Sequence, residues 1–148
     1  MKRTRILLAD DHPQIRELLR VILEPEFKVV GAAEDGETLL QYAQSLQPDV
    51  IISDINMPKV DGLQAARLLK DIAPHTRVIF LTAHAEPSYV AAAFAAGAVG
   101  YLIKGATTDL AGSLRSMIDG VRAQNVTPHV PPAHTRPSPP PTELRPAR

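Results

Sequence analysis

The chain has 148 residues, no cysteine, and 16 basic residues against 16 acidic ones. This length supports one domain with a substantial core, and the absence of thiols excludes disulfides, thiolate catalysis and cysteine-ligated zinc. No apolar run approaches the roughly 20 residues of a membrane-spanning helix. The apolar stretch that follows the basic residues 1–5 is also too short for a signal peptide, so we expect a cytoplasmic protein without membrane contact.

Charge and proline are distributed unevenly along the chain. Residues 1–120 carry 15 acidic and 12 basic residues, a balance that does not favour broad electrostatic binding to nucleic acid. Residues 121–148 contain eight of the fourteen prolines, four dispersed arginines and almost no apolar residues. This composition predicts a disordered or extended segment, with a proline-motif docking segment as the alternative. We therefore expect a folded domain at 1–122, a flexible tail at 123–148, and no direct DNA binding.

Short apolar runs alternate with helix-periodic stretches five times within residues 1–120. The runs lie at about 5–9, 27–33, 49–53, 77–81 and 99–103, and the helical stretches at about 13–23, 36–46, 62–72, 88–96 and 107–119. Strongly apolar strands that alternate with helices predict a parallel sheet covered on both faces. Five units are too few for a (βα)8 barrel. They favour an α/β fold, a flavodoxin-like doubly wound (βα)5 domain with strand order 2-1-3-4-5.

Polar residues follow four of the five apolar runs: Asp10 and Asp11, Asp54, Thr82, and Lys104. Because parallel strands end at one edge of the sheet, we expect these side chains to converge there. Asp54 is the most informative of them, since a loop containing Pro58 and Gly62 follows it. Taken by itself, Asp54 could merely begin a turn.

Three converging carboxylates repel one another and favour a compensating cation. Mg²⁺ prefers oxygen ligands and often bridges carboxylates and phosphate oxygens, and the ammonium group of Lys104 supplies a second positive charge. With a phosphoryl group present, Asp54 can act as the nucleophile. Lys104 and the metal would neutralise charge on the transferring oxygens, and Thr82 would donate a hydrogen bond to one of them.

Four segments together resemble the response-regulator receiver domain of two-component systems, namely residues 9–12, 54–62, 81–83 and 100–104. The resemblance implies that Asp54 accepts a phosphoryl group from a histidine kinase, a phosphorelay protein or a small phosphodonor. It also implies that Asp11 and Asp54 bind Mg²⁺ directly, together with the backbone carbonyl of Asn56. Asp10 would act through a metal-bound water. The chain would then be a phosphoacceptor rather than an enzyme, with self-catalysed phosphoryl transfer and autodephosphorylation at most.

The same resemblance implies a conformational switch. Tyr101 corresponds to the aromatic residue that turns inward when Thr82 moves toward the phosphoryl group, although an ordinary tyrosine at the edge of the core is the alternative. His84 lies where family members tune the lifetime of the phosphoryl group, and His12 is expected to begin the first helix. The altered face would comprise the fourth helix, fifth strand and fifth helix, and would bind an unknown downstream protein or form a homodimer.

Residues 10–13 and 100–104 are most similar to NarL/FixJ-type receivers, which usually precede a helix-turn-helix domain. Residues 121–148 have no room for such a domain, so the chain is either a stand-alone receiver or the receiver half of a NarL-type transcription regulator whose DNA-binding domain is missing. A haloacid-dehalogenase-like phosphatase would need a second Asp two residues after its nucleophile, and Asn56 occupies that position. A degenerate receiver that serves only as an interaction module is disfavoured by the intact set of five site residues.

Overall fold

The computed structural model describes residues 3–106 and 109–123. Five strands, β1 (Arg5–Ala9), β2 (Lys28–Ala33), β3 (Val50–Ser53), β4 (Arg77–Thr82) and β5 (Gly100–Ile103), pair in parallel in the order β2-β1-β3-β4-β5. Five helices alternate with them: α1 (Pro13–Leu23), α2 (Gly36–Leu46), α3 (Gly62–Ile72), α4 (Pro87–Ala95) and α5 (Leu110–Ala123). The predicted flavodoxin-like fold and its strand order are confirmed.

The largest difference from the predicted elements lies at the fifth helix. The sequence predicts this helix at 107–119, whereas α5 begins at Leu110 and continues to Ala123. Asp109 explains the later start, because its Oδ1 accepts a hydrogen bond from the Gly112 N–H at 3.0 Å, as an N-cap residue does. The predicted tail falls almost entirely on residues 124–148, which lie outside the described residues, so the boundary at 122 stays a prediction.

The core has two layers, one on each face of the sheet. Every residue of β3 is buried, as expected for a central strand with helices on both sides. One layer centres on Leu7, Ile51, Phe80 and Tyr101, and the other on Ile6, Leu8, Ile52 and Leu102. Since both faces of the central strands are apolar, their polar chemistry is confined to the strand ends. No helix within the described part of the chain is long and apolar enough to cross a membrane.

The loop between β3 and α3 closes tightly over the end of β3. The Gly62 N–H donates to the Ile55 carbonyl at 2.7 Å, and a Cβ atom at this position would lie 2.2 Å from the Asp54 carbonyl oxygen. Only glycine permits this approach. Asp61 then begins α3 by accepting a hydrogen bond from the Gln64 N–H at 2.8 Å. The residue that follows β3 is therefore held between the sheet and the first turn of α3.

Asp35 caps α2 in the same manner. Its Oδ1 accepts a hydrogen bond from the Thr38 N–H at 2.7 Å. This hydrogen bond lowers the pKa of Asp35 below the ordinary value of 3.8, against the opposing effect of burial and with help from the charge of Lys59. A lowered pKa in the folded state means that the charged carboxylate contributes stability above pH 3.8, and that this contribution disappears as the pH falls through the folded-state pKa.

We predict that Asp35→Ala lowers the free energy of unfolding by about 1 kcal/mol at neutral pH, the usual cost of losing an N-cap. The difference from the wild type should shrink in acid below pH 3.8. Urea titrations at neutral pH and below pH 3.8 measure this difference in the free energy of unfolding. Asp71→Ala, at an exposed position in the last turn of α3, is the control and should leave the stability nearly unchanged. An Asp35→Ala effect of equal size at both pH values would contradict the role of the charge.

Candidate functional site

The carboxyl ends of four strands meet at one edge of the sheet and carry the residues singled out in the sequence. Asp10 and Asp54 are buried, Thr82 is fully buried at the end of β4, and Asp11 lies at the surface. A cavity of about 320 Å³ opens above them. Its lining comprises His12, Ile15, Asp54, Asn56, Thr82, Ala83, His84 and Lys104.

Lys104 joins the two buried carboxylates. Its Nζ lies 2.7 Å from Asp10 Oδ2 and 3.0 Å from Asp54 Oδ2. Burial by itself would lower the pKa of Lys104, but the hydrogen bonds to Asp10 and Asp54 outweigh it, and the pKa is raised above 10.5. Lys104 is therefore a cation at neutral pH, and its stabilising contribution is lost only as the pH rises through this raised pKa.

Main-chain hydrogen bonds hold Asp54 in place. The Asp54 N–H donates to the Ala9 carbonyl at 2.9 Å, which ties the end of β3 to β1. The other carboxylate oxygen, Oδ1, accepts from the Ile55 N–H at 2.6 Å. Both oxygens of Asp54 thus have donors, one from the main chain and one from Lys104, and the carboxylate cannot rotate freely.

The acidic cluster has the composition of a site for a hard cation. Oxygen atoms of Asp10, Asp11 and Asp54 and a ring nitrogen of His12 all lie within 4.8 Å of one another. Magnesium and calcium prefer such oxygen ligands, whereas imidazole favours transition metals. Asp11 is 36% exposed and faces solvent, so an ion can reach the cluster without unfolding of the edge. The carboxylates therefore fit Mg²⁺.

Two residues next to this cluster have roles that the sequence did not indicate. His12 does precede α1, but its ring makes no capping hydrogen bond; instead Nδ1 lies 3.1 Å from both Asp10 Oδ1 and Asp11 Oδ1. One helical turn further on, Arg16 donates from its guanidinium group to the Asp10 carbonyl at 2.6 Å. His12 directly precedes α1 and Arg16 lies in its first turn, so both contact Asp10 at the start of the helix.

His84 forms one wall of the cavity. The side-chain amide of Asn56 donates to His84 Nε2 at 2.7 Å, and the imidazole ring stacks on Tyr89 with a centroid distance of 4.0 Å. Glu86 lies 3.5 Å from the other ring nitrogen. The sequence indicated that His84 lies over the site, but neither Asn56 nor Tyr89 could be identified as its partner. Together they fix the ring beside Asp54.

Tyr101 is turned inward. Its side chain is buried, lies against Phe80 at a centroid distance of 6.4 Å, and donates a hydrogen bond to the His84 carbonyl at 2.8 Å. Burial raises the pKa of Tyr101 far above 10, and the nearby negative charges of Glu86 and Asp54 add to the shift. The hydroxyl therefore remains a donor across the physiological pH range. The N–H of the same His84 points toward Thr82 Oγ1 at 3.4 Å, so its main chain lies between Thr82 and Tyr101.

The sequence pattern of the response regulator receiver domain matches residues 6–115. The chain therefore belongs to the response regulator receiver domain family. The transcriptional regulatory protein DegU of Brevibacillus brevis is 44% identical over 104 residues, which cover 69% of this chain and 44% of DegU. The chain spans about half the length of the curated relatives that it matches. The phosphatase alternative gains no support from these relatives.

Solved structures give the same family and the same fold. The signal receiver domain of the response regulator NarL from Mycobacterium tuberculosis has 32% identity and a TM-score of 0.75, with 84% of this chain and 100% of that chain covered. The isolated receiver domain of RcsB from Salmonella enterica serovar Typhimurium, solved with the phosphomimetic BeF3⁻, has 28% identity and a TM-score of 0.76 over 90% of this chain and 96% of that one. The resemblance to NarL-type receivers is confirmed.

We predict that Lys104→Met lowers the free energy of unfolding by about 3 kcal/mol in the presence of a chelator, because Asp10 and Asp54 lose the cation that they share. Urea titration at neutral pH measures the loss. The control variant Lys28→Met replaces an exposed lysine on the edge strand β2. It should lower the free energy of unfolding by less than about 0.5 kcal/mol. Equal losses in the two variants would show that the Lys104 ion pairs do not stabilise the domain.

Proposed function

We propose that this chain is a phosphoacceptor switch in which Asp54 receives a phosphoryl group from a histidine kinase, a phosphorelay protein or a small phosphodonor. The observation that carries the proposal is that Lys104 contacts both Asp10 and Asp54 next to an open cavity. A buried carboxylate that only stabilised the fold would not require a cavity beside it. Membership of the receiver family supports the same function.

The transfer requires no general base. An ionised oxygen of Asp54 attacks the phosphorus atom, the bond from phosphorus to the leaving oxygen or nitrogen breaks, and the leaving group departs with the bonding electrons. Lys104 has three N–H donors, so it can hold Asp10 while another N–H meets a phosphoryl oxygen. Thr82 lines the cavity, and its hydroxyl would donate to a second oxygen.

The carboxylates of Asp11 and Asp54, with the Asn56 carbonyl, would hold Mg²⁺, and Asp10 would contribute through water. When bound, the ion supplies positive charge that neutralises the phosphoryl oxygens. Lys104 contacts Oδ2 of both buried carboxylates, and Asp11 is the most exposed of the three aspartates. Lys104 and the metal together would compensate the clustered negative charge during transfer.

The output of the switch would pass through the main chain of His84. We infer that movement of Thr82 toward a phosphoryl oxygen breaks its contact with the His84 N–H, and that Tyr101, bound to the His84 carbonyl, transmits the displacement of the loop to β5. The face formed by α4, β5 and α5 would then change its affinity for a downstream protein or a second copy of the chain. A histidine-kinase partner also implies a cytoplasmic location.

Incubation with acetyl phosphate and Mg²⁺ is expected to place one phosphoryl group on Asp54, because its carboxylate is the ionised nucleophile at the cavity floor. Peptide mass spectrometry after reduction with borohydride locates the modified residue. Asp54→Asn should abolish the label, and Asp11→Ala should slow labelling at least about tenfold if Asp11 holds the metal.

Asp61→Asn is the matched control, since Asn also caps a helix and the variant should be labelled at the wild-type rate. Undiminished labelling of Asp54→Asn would rule out Asp54 as the phosphoacceptor.

Thr82→Ala should still be phosphorylated but should lose most of the conformational response, because its hydroxyl links the phosphoryl group to the His84 main chain. Amide hydrogen exchange over residues 86–106, with and without beryllofluoride, measures this response. Thr38→Ala, on α2 and away from the proposed output face, should respond like the wild type. A full response in Thr82→Ala would exclude Thr82 from the switch.

A further inference from the structure

We propose that Gly36, at the start of α2, is a positioning residue for the loop that carries Asn56, and that the metal site is incomplete without this glycine. The inference rests on the proposed function in so far as Asn56 is a metal ligand. It concerns residues 56–60, which run from that ligand along the surface of the domain toward α3. The sequence around Gly36 does not indicate that this residue takes part in the phosphorylation site. In the structure, α2 contributes no residue to the lining of the cavity.

The first observation is steric. A Cβ atom built on Gly36 would lie 1.8 Å from the Val60 carbonyl oxygen, 2.5 Å from the Val60 carbonyl carbon and 2.7 Å from Val60 Cβ. The first two are main-chain atoms, so rotation of a side chain cannot relieve the clash. Any residue other than glycine must therefore separate the first turn of α2 from the β3–α3 loop.

The second observation is that α2 makes polar contacts with this loop. The Gly36 N–H donates to the Pro58 carbonyl at 3.2 Å. Lys59 Nζ lies 3.8 Å from Asp35 Oδ2 and 3.8 Å from Glu37 Oε1, on either side of Gly36. Three consecutive loop residues thus contact three consecutive residues at the start of α2. These contacts form a continuous clasp, defined as residues 35–37 with residues 58–60.

The third observation is that the loop holds a strained conformation within this clasp. Lys59 has a φ of 72°, in the left-handed region that residues with a Cβ atom rarely adopt. Strain of this kind persists when surrounding contacts over-determine the backbone. The clasp supplies such contacts at Lys59 and at both of its neighbours.

A side chain at position 36 would displace the loop at residues 58–60 rather than α2. Leu39 and Ala43 anchor α2 in the core, and Asp35 caps its first turn, whereas Pro58 and Lys59 are exposed. Displacement of residues 58–60 would reach Asn56 through Met57, whose buried side chain would have to shift with them. Ile55 and Gly62 fix the two ends of the loop to each other, because the Gly62 N–H donates to the Ile55 carbonyl at 2.7 Å, so the displacement falls on the residues between them.

Isothermal titration calorimetry with Mg²⁺ tests the proposal, together with amide hydrogen exchange of residues 56–61 in metal-free protein. Gly36→Ala should weaken Mg²⁺ binding by about ten- to a hundredfold, as the loss of outer-shell support does at other metal sites. Exchange at residues 56–61 should accelerate even without metal. This second measurement does not depend on the phosphorylation chemistry.

Two controls separate positioning from general loss of stability. Gly120→Ala places a Cβ atom where no other atom lies within 4 Å, and it should bind Mg²⁺ like the wild type. Ile118→Val removes a methylene group from the fully buried part of α5 and lowers stability away from the loop, but it should leave Mg²⁺ affinity and exchange at residues 56–61 unchanged. If Gly36→Ala does not fold, Lys59→Gly takes its place, since glycine tolerates the left-handed φ and removes the contacts with Asp35 and Glu37 without a clash.

Weaker Mg²⁺ binding and faster exchange in Gly36→Ala, or in Lys59→Gly as its substitute, would support the proposal. Wild-type affinity and exchange in the folded variant would overturn it. Failure of the wild type itself to bind Mg²⁺ would instead refute the metal site of the proposed function. The exchange of residues 56–61 in metal-free protein would then decide whether Gly36 positions the loop.

Discussion

The site depends on the ammonium group of Lys104, which lies between two carboxylates that the sheet brings together. Asp10 and Asp54 follow neighbouring parallel strands, so their proximity is a consequence of strand order rather than of any local preference. Without a cation the two buried charges would destabilise the fold. Lys104 lies 2.7 Å from Asp10 and 3.0 Å from Asp54 and supplies the compensating positive charge. The same interaction thus stabilises the domain and holds in place the carboxylate that we propose as the phosphoacceptor.

The apolar strands make this concentration of charge possible. Because β3 is buried along its whole length, polar groups gather at its end, and the tight closure at Gly62 presents Asp54 to the cavity instead of continuing the chain into solvent. The helices cover both faces of the sheet and leave its carboxyl edge open. The architecture therefore separates an apolar interior from a polar edge.

The sequence predicted the elements because they depend on patterns of short range, and it predicted the converging residues because parallel strands end at one edge of a sheet. Alternating apolar runs define the strands, and parallel pairing then brings their carboxyl ends to one edge, where Asp54 and Lys104 meet. The contacts that shape the site are of another kind. Asn56 meets His84, and Gly36 meets Val60, only after two loops have adopted their conformations, and no periodicity encodes such encounters. The late start of α5 had a local cause, the cap at Asp109, that the periodicity of the helix concealed.

His84 combines two separable functions in one residue. Its ring faces Asn56 and Tyr89 at the cavity, whereas its main-chain N–H and carbonyl face Thr82 and Tyr101. Every amino acid except proline supplies the same main-chain groups, so side-chain variation at this position would alter the surroundings of the proposed phosphoacceptor and leave the main-chain contacts with Thr82 and Tyr101 in place. Under the proposed function, a lineage of such proteins could therefore adjust the duration of a signal through this side chain without changing the main-chain contacts that would report it.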